Sequence, residues 1–151
     1  MSEHRATIRW KRTSADYTYD TYNREHEIAF KDGAIVLAAS SPPGFRGDDA
    51  RVNPEETFVA ALSGCHMLTF LAACARKHLT VDSYEDDAVG FLDRGPDGRL
   101  WVARAILRPR VRFGAGTVVD KATLSELHHK IHENSFIANS VATNVTVKPQ
   151  Y

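Results

Sequence analysis

Asn53-Pro54-Glu55-Glu56-Thr57-Phe58-Val59-Ala60-Ala61-Leu62-Ser63-Gly64-Cys65-His66-Met67 is the stretch that organises this chain. Asn53 is suited to accept from free backbone N–H groups as N-cap, Pro54 fits the first helical position, and Glu56 falls where its carboxylate completes a capping box. A helix is therefore predicted from Pro54 to about Leu79, ending near Lys77 and His78, whose charges suit a helix C-terminus. Between Phe58 and Ala75 it is so apolar that burial on almost all sides is expected. Glu56 is explained by the cap and Glu55 is not. Cys65, set among small and apolar neighbours, offers a thiol as the candidate for chemistry.

Outward from the helix, the flanking segments read as β-structure. On the N-terminal side, Thr7-Ile8-Arg9-Trp10-Lys11 alternates, with Ile8 and Trp10 on a face meant for a core. Glu27 to Phe30 and Ala34 to Ala38 flank Asp32-Gly33, the signature of a hairpin with a tight type I′ turn. Ser40 to Val52, with Pro42-Pro43-Gly44, Gly47 and Asp48-Asp49, reads as a loop. On the other side, Ala88 to Leu92 and Leu100 to Leu107 flank the turn Gly95-Pro96-Asp97-Gly98, a second hairpin. Asp120 or Thr123 caps a second helix through about His132, and Thr143 to Val147 closes the chain as a strand. The class is α+β, and residues 1–151 fit one domain.

Composition narrows the function. The 151 residues are enough to bury a core without disulfides. The 19 acidic and 19 basic side chains cancel, leaving no global field for nucleic acid or an anionic membrane. No apolar run is expected to approach the length of a membrane span, and Met1-Ser2-Glu3-His4-Arg5 leads into polar sequence rather than a signal peptide, so a cytoplasmic location is expected. The two cysteines, Cys65 and Cys74, match no secreted framework and no metal-binding spacing. Nine residues along a straight helix set them roughly 13.5 Å apart and about 180° round, beyond disulfide reach. Cys74 reads as a buried small hydrophobe.

The segment from Asn53 to His66 resembles the central helix of the OsmC/Ohr family, small thiol-dependent hydroperoxide reductases, with the reactive cysteine in place at Cys65. His132-Glu133-Asn134-Ser135-Phe136-Ile137-Ala138-Asn139-Ser140-Val141 resembles the family's second motif, in which a cysteine normally stands where this chain has Ser135. The resemblance covers nearly the whole chain. It implies an α+β fold with two β-sheet regions around a buried central helix plus a second helix, in an intertwined homodimer with active sites at the subunit interface. It also implies organic hydroperoxide as substrate and no metal or other cofactor.

Peroxide reduction explains the residue types, because the thiolate is the nucleophile and a free cysteine is only about a few per cent ionised near pH 7. In the family an arginine supplies positive charge and donors, and a glutamate holds the arginine. Glu55 matches that glutamate, although ten helical residues set it roughly 15 Å along the axis from Cys65. Arg24 best fits the arginine, with Arg46 and Arg51 as rivals. Ser135 cannot form the disulfide that normally resolves a sulfenic acid. The resemblance thus implies a one-cysteine peroxidase served by an external thiol reductant. The alternatives are resolution through the partner chain, or a relative without peroxidase activity that binds a small ligand or anionic partner. Phe58, Met67, Phe70 and Phe136 fit an apolar pocket for an organic peroxide or plain core packing.

Two other patterns compete. His128, His129 and His132 share a helix, with His128 and His132 at i and i+4, which is a metal-ligand spacing but lacks a His-Glu-x-x-His context. Arg104, Arg108, Arg110 and Arg112 fall on one face if a single strand runs through Pro109, which would make a basic stripe. Neither pattern accounts for the Cys65 segment.

Overall fold

In the computed structural model, which describes Met1 to Tyr151, the chain forms two compact units, Met1–Thr57 and Phe58–Tyr151. The class is α+β, as expected.

The first unit is a three-stranded antiparallel sheet in the order β1 (Thr7–Arg9), β2 (His26–Phe30), β3 (Ile35–Ala39). The hairpin at Asp32-Gly33 forms, but Phe30 pairs with Ile35, so four residues turn the chain where two were expected. Lys31, Asp32 and Gly33 all have positive φ, which the glycine tolerates best. Ile28, Ala29, Ala39 and Ser40 are buried. Ile8 and Trp10, expected on a core-facing side, are exposed instead, Ile8 by 61%. The short edge strand β1 leaves Ile8 open, and Trp10, just past it, anchors itself by donating its indole N–H to the Asn23 carbonyl at 2.7 Å.

Helix α1 (Pro54–Arg76) begins at the end of this unit. The capping box closes as read: Glu56 N–H donates to Asn53 Oδ1 at 2.8 Å and Asn53 N–H to Glu56 Oε2 at 3.0 Å. The helix stops at Arg76, three residues before the predicted end. His78 adopts a left-handed conformation, and the Leu79 amide reaches back to the Cys74 carbonyl at 2.9 Å. Burial of α1 is narrower than expected. Val59, Leu62, His66, Phe70 and Cys74 form one buried stripe, whereas Leu68 is 65% exposed. By length and composition α1 would also be able to cross a membrane, which corrects the expectation that no apolar run is long enough. Its buried stripe makes it a core helix.

The second unit has two sheets. Strands β4 (Val81–Asp86) and β7 (Pro109–Phe113) pair antiparallel, while β5 (Val89–Arg94), β6 (Leu100–Leu107) and β8 (Asn144–Val147) form the other, with β8 parallel to β6. The β5–β6 hairpin turns at Gly95–Gly98 as predicted, with the Gly98 amide on the Gly95 carbonyl at 2.9 Å. Helix α2 (Lys121–His132) is capped by Asp120, whose Oδ1 accepts from Thr123 N–H at 2.9 Å.

Two apolar clusters share α1. Phe70 and Cys74 pack with Leu124, Leu127 and Ile131 of α2, and Leu62 packs with Ala105, Leu107 and Val145 of the parallel pair. Asp86 ties these parts together, accepting from Ser63 Oγ on α1 at 2.5 Å and from the Arg108 amide at 2.6 Å.

The single strand through Pro109 does not exist. The chain leaves one sheet at Leu107 and enters the other at Pro109, so Arg104 is separated from Arg110 and Arg112, and the arginine stripe is broken. Arg104 lies 4.0 Å over the Phe91 ring, and Arg110 pairs with Glu85 at 3.4 Å.

Candidate active site

Cys65 lies on α1 and is half-buried, whereas Cys74, nine residues further on, is fully buried; both are free. Burial pushes the Cys74 thiol up, as befits an inert core group. Cys65 is pushed the other way. Its partial burial disfavours the thiolate, but the Ile137 backbone, the Ser135 side chain, the Phe136 backbone and the Thr69 side chain all approach the sulfur and together hold the pKa below the usual thiol value. The fold thus brings the second sequence motif onto the first. Ser135 follows directly on α2, and its amide donates to the His132 carbonyl at 3.2 Å.

Arg24 and Glu55 belong to the first unit. Arg24 is only 8% exposed, and its guanidinium donates to the carbonyls of Tyr22 at 2.6 Å and Tyr19 at 2.5 Å. Its Cζ stands 3.9 Å from the Tyr22 ring centre and 5.3 Å from that of Tyr19, a cation held by π faces. Glu55 is half-buried, and its Oε2 is buried without a hydrogen-bond partner. The two do not form an ion pair. Each keeps a charge or an oxygen shielded from water without a matching partner, a costly state for groups with only a structural role. The rival arginines are taken up elsewhere: Arg46 pairs with Asp20 at 2.8 Å and Arg51 with Asp48 at 3.1 Å, both near the surface.

Beside Arg24 is a cavity of about 390 Å³ walled by Trp10, Tyr17, Tyr22, His26 and Pro54. Its rings are in contact, with centres 6.0 Å apart for Trp10 and Tyr17 and 5.7 Å for Tyr17 and Tyr22. Phe58 and Phe70 of the apolar set noted in the sequence lie instead in the two core clusters of the second unit, and Phe136 is exposed.

The histidines of α2 are arranged differently from the sequence pattern. His128 Nδ1 meets His66 Nε2 of α1 at 2.9 Å, the rings nearly parallel, and His128 also stacks on Phe70 with centres 4.3 Å apart. His129 faces Glu133 on the surface. No three histidine, cysteine or acidic groups converge as a metal site would require. In the sequence His66 is masked by the cysteine motif that contains it. Its place on the buried stripe, four residues from both Leu62 and Phe70, is the signal that marks it as a core histidine.

Burial, with the nearby His128 and His132 charges, pushes His66 down to about 3, and burial pushes His128 down to about 4. Both folded-state values lie below the unfolded value of about 6.5, so the unfolded chain binds more protons. The stabilisation is complete above pH 6.5 and is lost as pH falls through about 4 and then about 3. From about pH 6.5 to 5 the loss is on the order of 2 kcal/mol per ring. Urea midpoints at pH 7.5 and 5 are expected to show it. In His128→Gln, which keeps a hydrogen-bonding group but cannot titrate, the drop should shrink; an equal drop would contradict this account.

Residues 47–150 match the family model for OsmC-like proteins. Among solved structures, an OsmC-like protein of unknown function from Vibrio cholerae is 42% identical, with 99% of this chain and 100% of that one covered and a TM-score of 0.93. An organic hydroperoxide resistance protein from Elizabethkingia anophelis is 17% identical over 99% of this chain and 94% of its own, with a TM-score of 0.74. That of Bacillus subtilis is 19% identical over 99% and 97%, with a TM-score of 0.69. These two share the fold. No curated protein matches the chain. With the family model matched across α1, Cys65 and the Ser135 segment, and a 42% identical OsmC-like relative aligned end to end, this chain belongs to the OsmC-like family.

Proposed function

We propose that the chain reduces organic hydroperoxides through Cys65, as a one-cysteine peroxidase recycled by an external thiol. The observation that carries the reading is the contrast between the two thiols: Cys74 is buried with its pKa raised, and Cys65 is partly open with its pKa lowered. The names of the Elizabethkingia and Bacillus relatives, organic hydroperoxide resistance proteins, agree with it.

The Cys65 thiolate attacks one peroxide oxygen, the O–O bond breaks, and the alkoxide takes a proton to leave as alcohol. Sulfur is oxidised by two electrons to the sulfenic acid. An external thiol then displaces the hydroxyl as water, forming a mixed disulfide, and a second thiol equivalent restores Cys65. Arg24 is assigned to orient the peroxide and stabilise negative charge, and Glu55 to hold Arg24. A homodimer would cover the open apolar groups of both units, Ile8, Ile35 and Val36 in the first and Leu68 and Phe136 in the second. A cytoplasmic, reducing setting suits two free thiols.

A second reading, a small-ligand binder without turnover, has the aromatic cavity beside the buried Arg24 in its favour. Intact-mass analysis of reduced protein treated with cumene hydroperoxide and a sulfenic-acid trap separates the two. One adduct per chain, absent in Cys65→Ser, supports peroxidase chemistry. An unmodified wild-type chain would overturn it in favour of binding.

A further inference from the structure

We infer that the cavity beside Arg24 is a binding site for a small aromatic carboxylate, whose charge meets the buried guanidinium and whose ring packs against Trp10, Tyr17 and Tyr22.

Arg24 is 8% exposed, and no acidic side chain, Glu55 included, pairs with it. Its two hydrogen bonds go to the carbonyls of Tyr22 and Tyr19, which leaves other N–H donors of the guanidinium fork uncommitted. Carbonyl dipoles and π faces soften the burial of a cation without cancelling its charge. A buried lysine or histidine can escape that cost by losing its proton, but a guanidinium cannot. An anion from outside the chain is the partner that completes it.

The rest of the cavity says what kind of anion fits. Ile8, Trp10, Tyr17, Tyr22 and Pro54 wall a space of about 390 Å³ beside the guanidinium. The polar groups in the wall are already bonded within the chain. Trp10 gives its indole N–H to the Asn23 carbonyl at 2.7 Å, and His26 Nδ1 donates to the Arg24 carbonyl at 2.9 Å. Ser40 Oγ accepts from the Asp48 amide at 3.1 Å, and Ser41 Oγ donates to the Phe45 carbonyl at 3.1 Å. A ligand therefore finds one fixed charge and an apolar wall. That wall starts at the charge itself, because the Tyr22 ring centre is 3.9 Å from Arg24 Cζ. It continues through Tyr17 and Trp10 in tilted steps of 57° and 50° between ring planes, which suit an added ring edge-to-face. A carboxylate carried on, or one carbon from, an aromatic ring satisfies both features. A hydroperoxide brings no charge, so this site goes beyond the peroxidase reading and does not rest on it.

Titration calorimetry of the full chain, without peroxide, tests the inference. Phenylacetate is expected to bind once per chain. Phenylacetamide, which lacks the charge, and cyclohexylacetate, which lacks the π system, should each bind less tightly, the amide by about tenfold or more. Arg24→Met should erase the preference for acid over amide. If that variant does not fold, Tyr17→Ala decides, since its ring is 67% exposed and its loss should weaken phenylacetate by about fivefold. Equal affinity for acid and amide, equal affinity for the aromatic and saturated acids, or unchanged affinity in Tyr17→Ala would each overturn the inference. Phenylacetate binding in a chain that forms no sulfenic acid leaves this site standing while the peroxidase reading falls. Sulfenic acid at Cys65 with no phenylacetate bound overturns the site and leaves the peroxidase reading intact.

Discussion

Cys65→Ser is expected to reduce thiol-dependent consumption of cumene hydroperoxide to the buffer background, while Cys74→Ser keeps the wild-type rate. The contrast follows from position on one helix. Both residues belong to α1, but Cys74 sits in the stripe packed against α2, and Cys65 lies against the Ser135–Ile137 segment with its thiolate favoured. No other side chain can replace a nucleophile whose sulfur both attacks oxygen and carries the resulting oxidation. Arg24→Met is expected to lower kcat/KM by about a hundredfold, the usual scale for removing one charge-stabilising donor group. With Glu55 in its proposed role of holding the arginine, Glu55→Ala is expected to give a smaller loss of rate and a less reactive thiol at neutral pH. Coupled assays with a small dithiol would measure all four variants, and normal turnover in Cys65→Ser would end the mechanism.

Phe70→Ala should be the most damaging substitution for the fold, at about 3–5 kcal/mol. Phe70 is 0% exposed in the cluster formed with Cys74, Leu124, Leu127 and Ile131, and its ring centre stands 5.7 Å from that of Tyr84. Its ring also covers His128 at a centre distance of 4.3 Å. Truncation therefore removes apolar burial, leaves a void between α1 and α2, and gives water a route to the paired imidazoles. Two signatures are expected in urea denaturation: a lower midpoint at neutral pH and a weaker dependence on acid, because a wetter His66–His128 pair titrates nearer to its ordinary value. A loss below about 1 kcal/mol would mean that the site collapses without strain.

Much of this was legible in the sequence wherever the determinant was local. The capping box needs four consecutive residues, the hairpins need a turn between alternating strands, and Asp120 needs only the helix that follows it. The Cys65 and Ser135 segments were paired through family resemblance, and the fold places them together. What escaped depends on distant parts of the chain. Nothing near Pro109 announces that the strand changes sheets there, because the amide that fixes the break, at Arg108, finds its acceptor 22 residues away on Asp86. The His66–His128 contact spans 62 residues. Ile8 and Trp10 alternate as a core face should, yet period alone says which side of a strand is apolar and not whether this chain supplies its cover. The arginine and glutamate were chosen by resemblance, and the fold adds that they are the shielded ones among their rivals.

The parallel pairing of β8 with β6 sets the order in which, during synthesis, the surroundings of Cys65 are assembled. Ala138 and Val141 pack on the cluster that Val145 of β8 completes, and this holds the end of the Ser135 loop. A ribosome delivers Cys65 well before Val145, and a parallel connection closes only after everything between its strands has been made. The nascent helix therefore carries its cysteine for a long stretch of synthesis without the loop that lies over it in the finished fold. The contacts that lower the Cys65 pKa are completed only once β8 has paired.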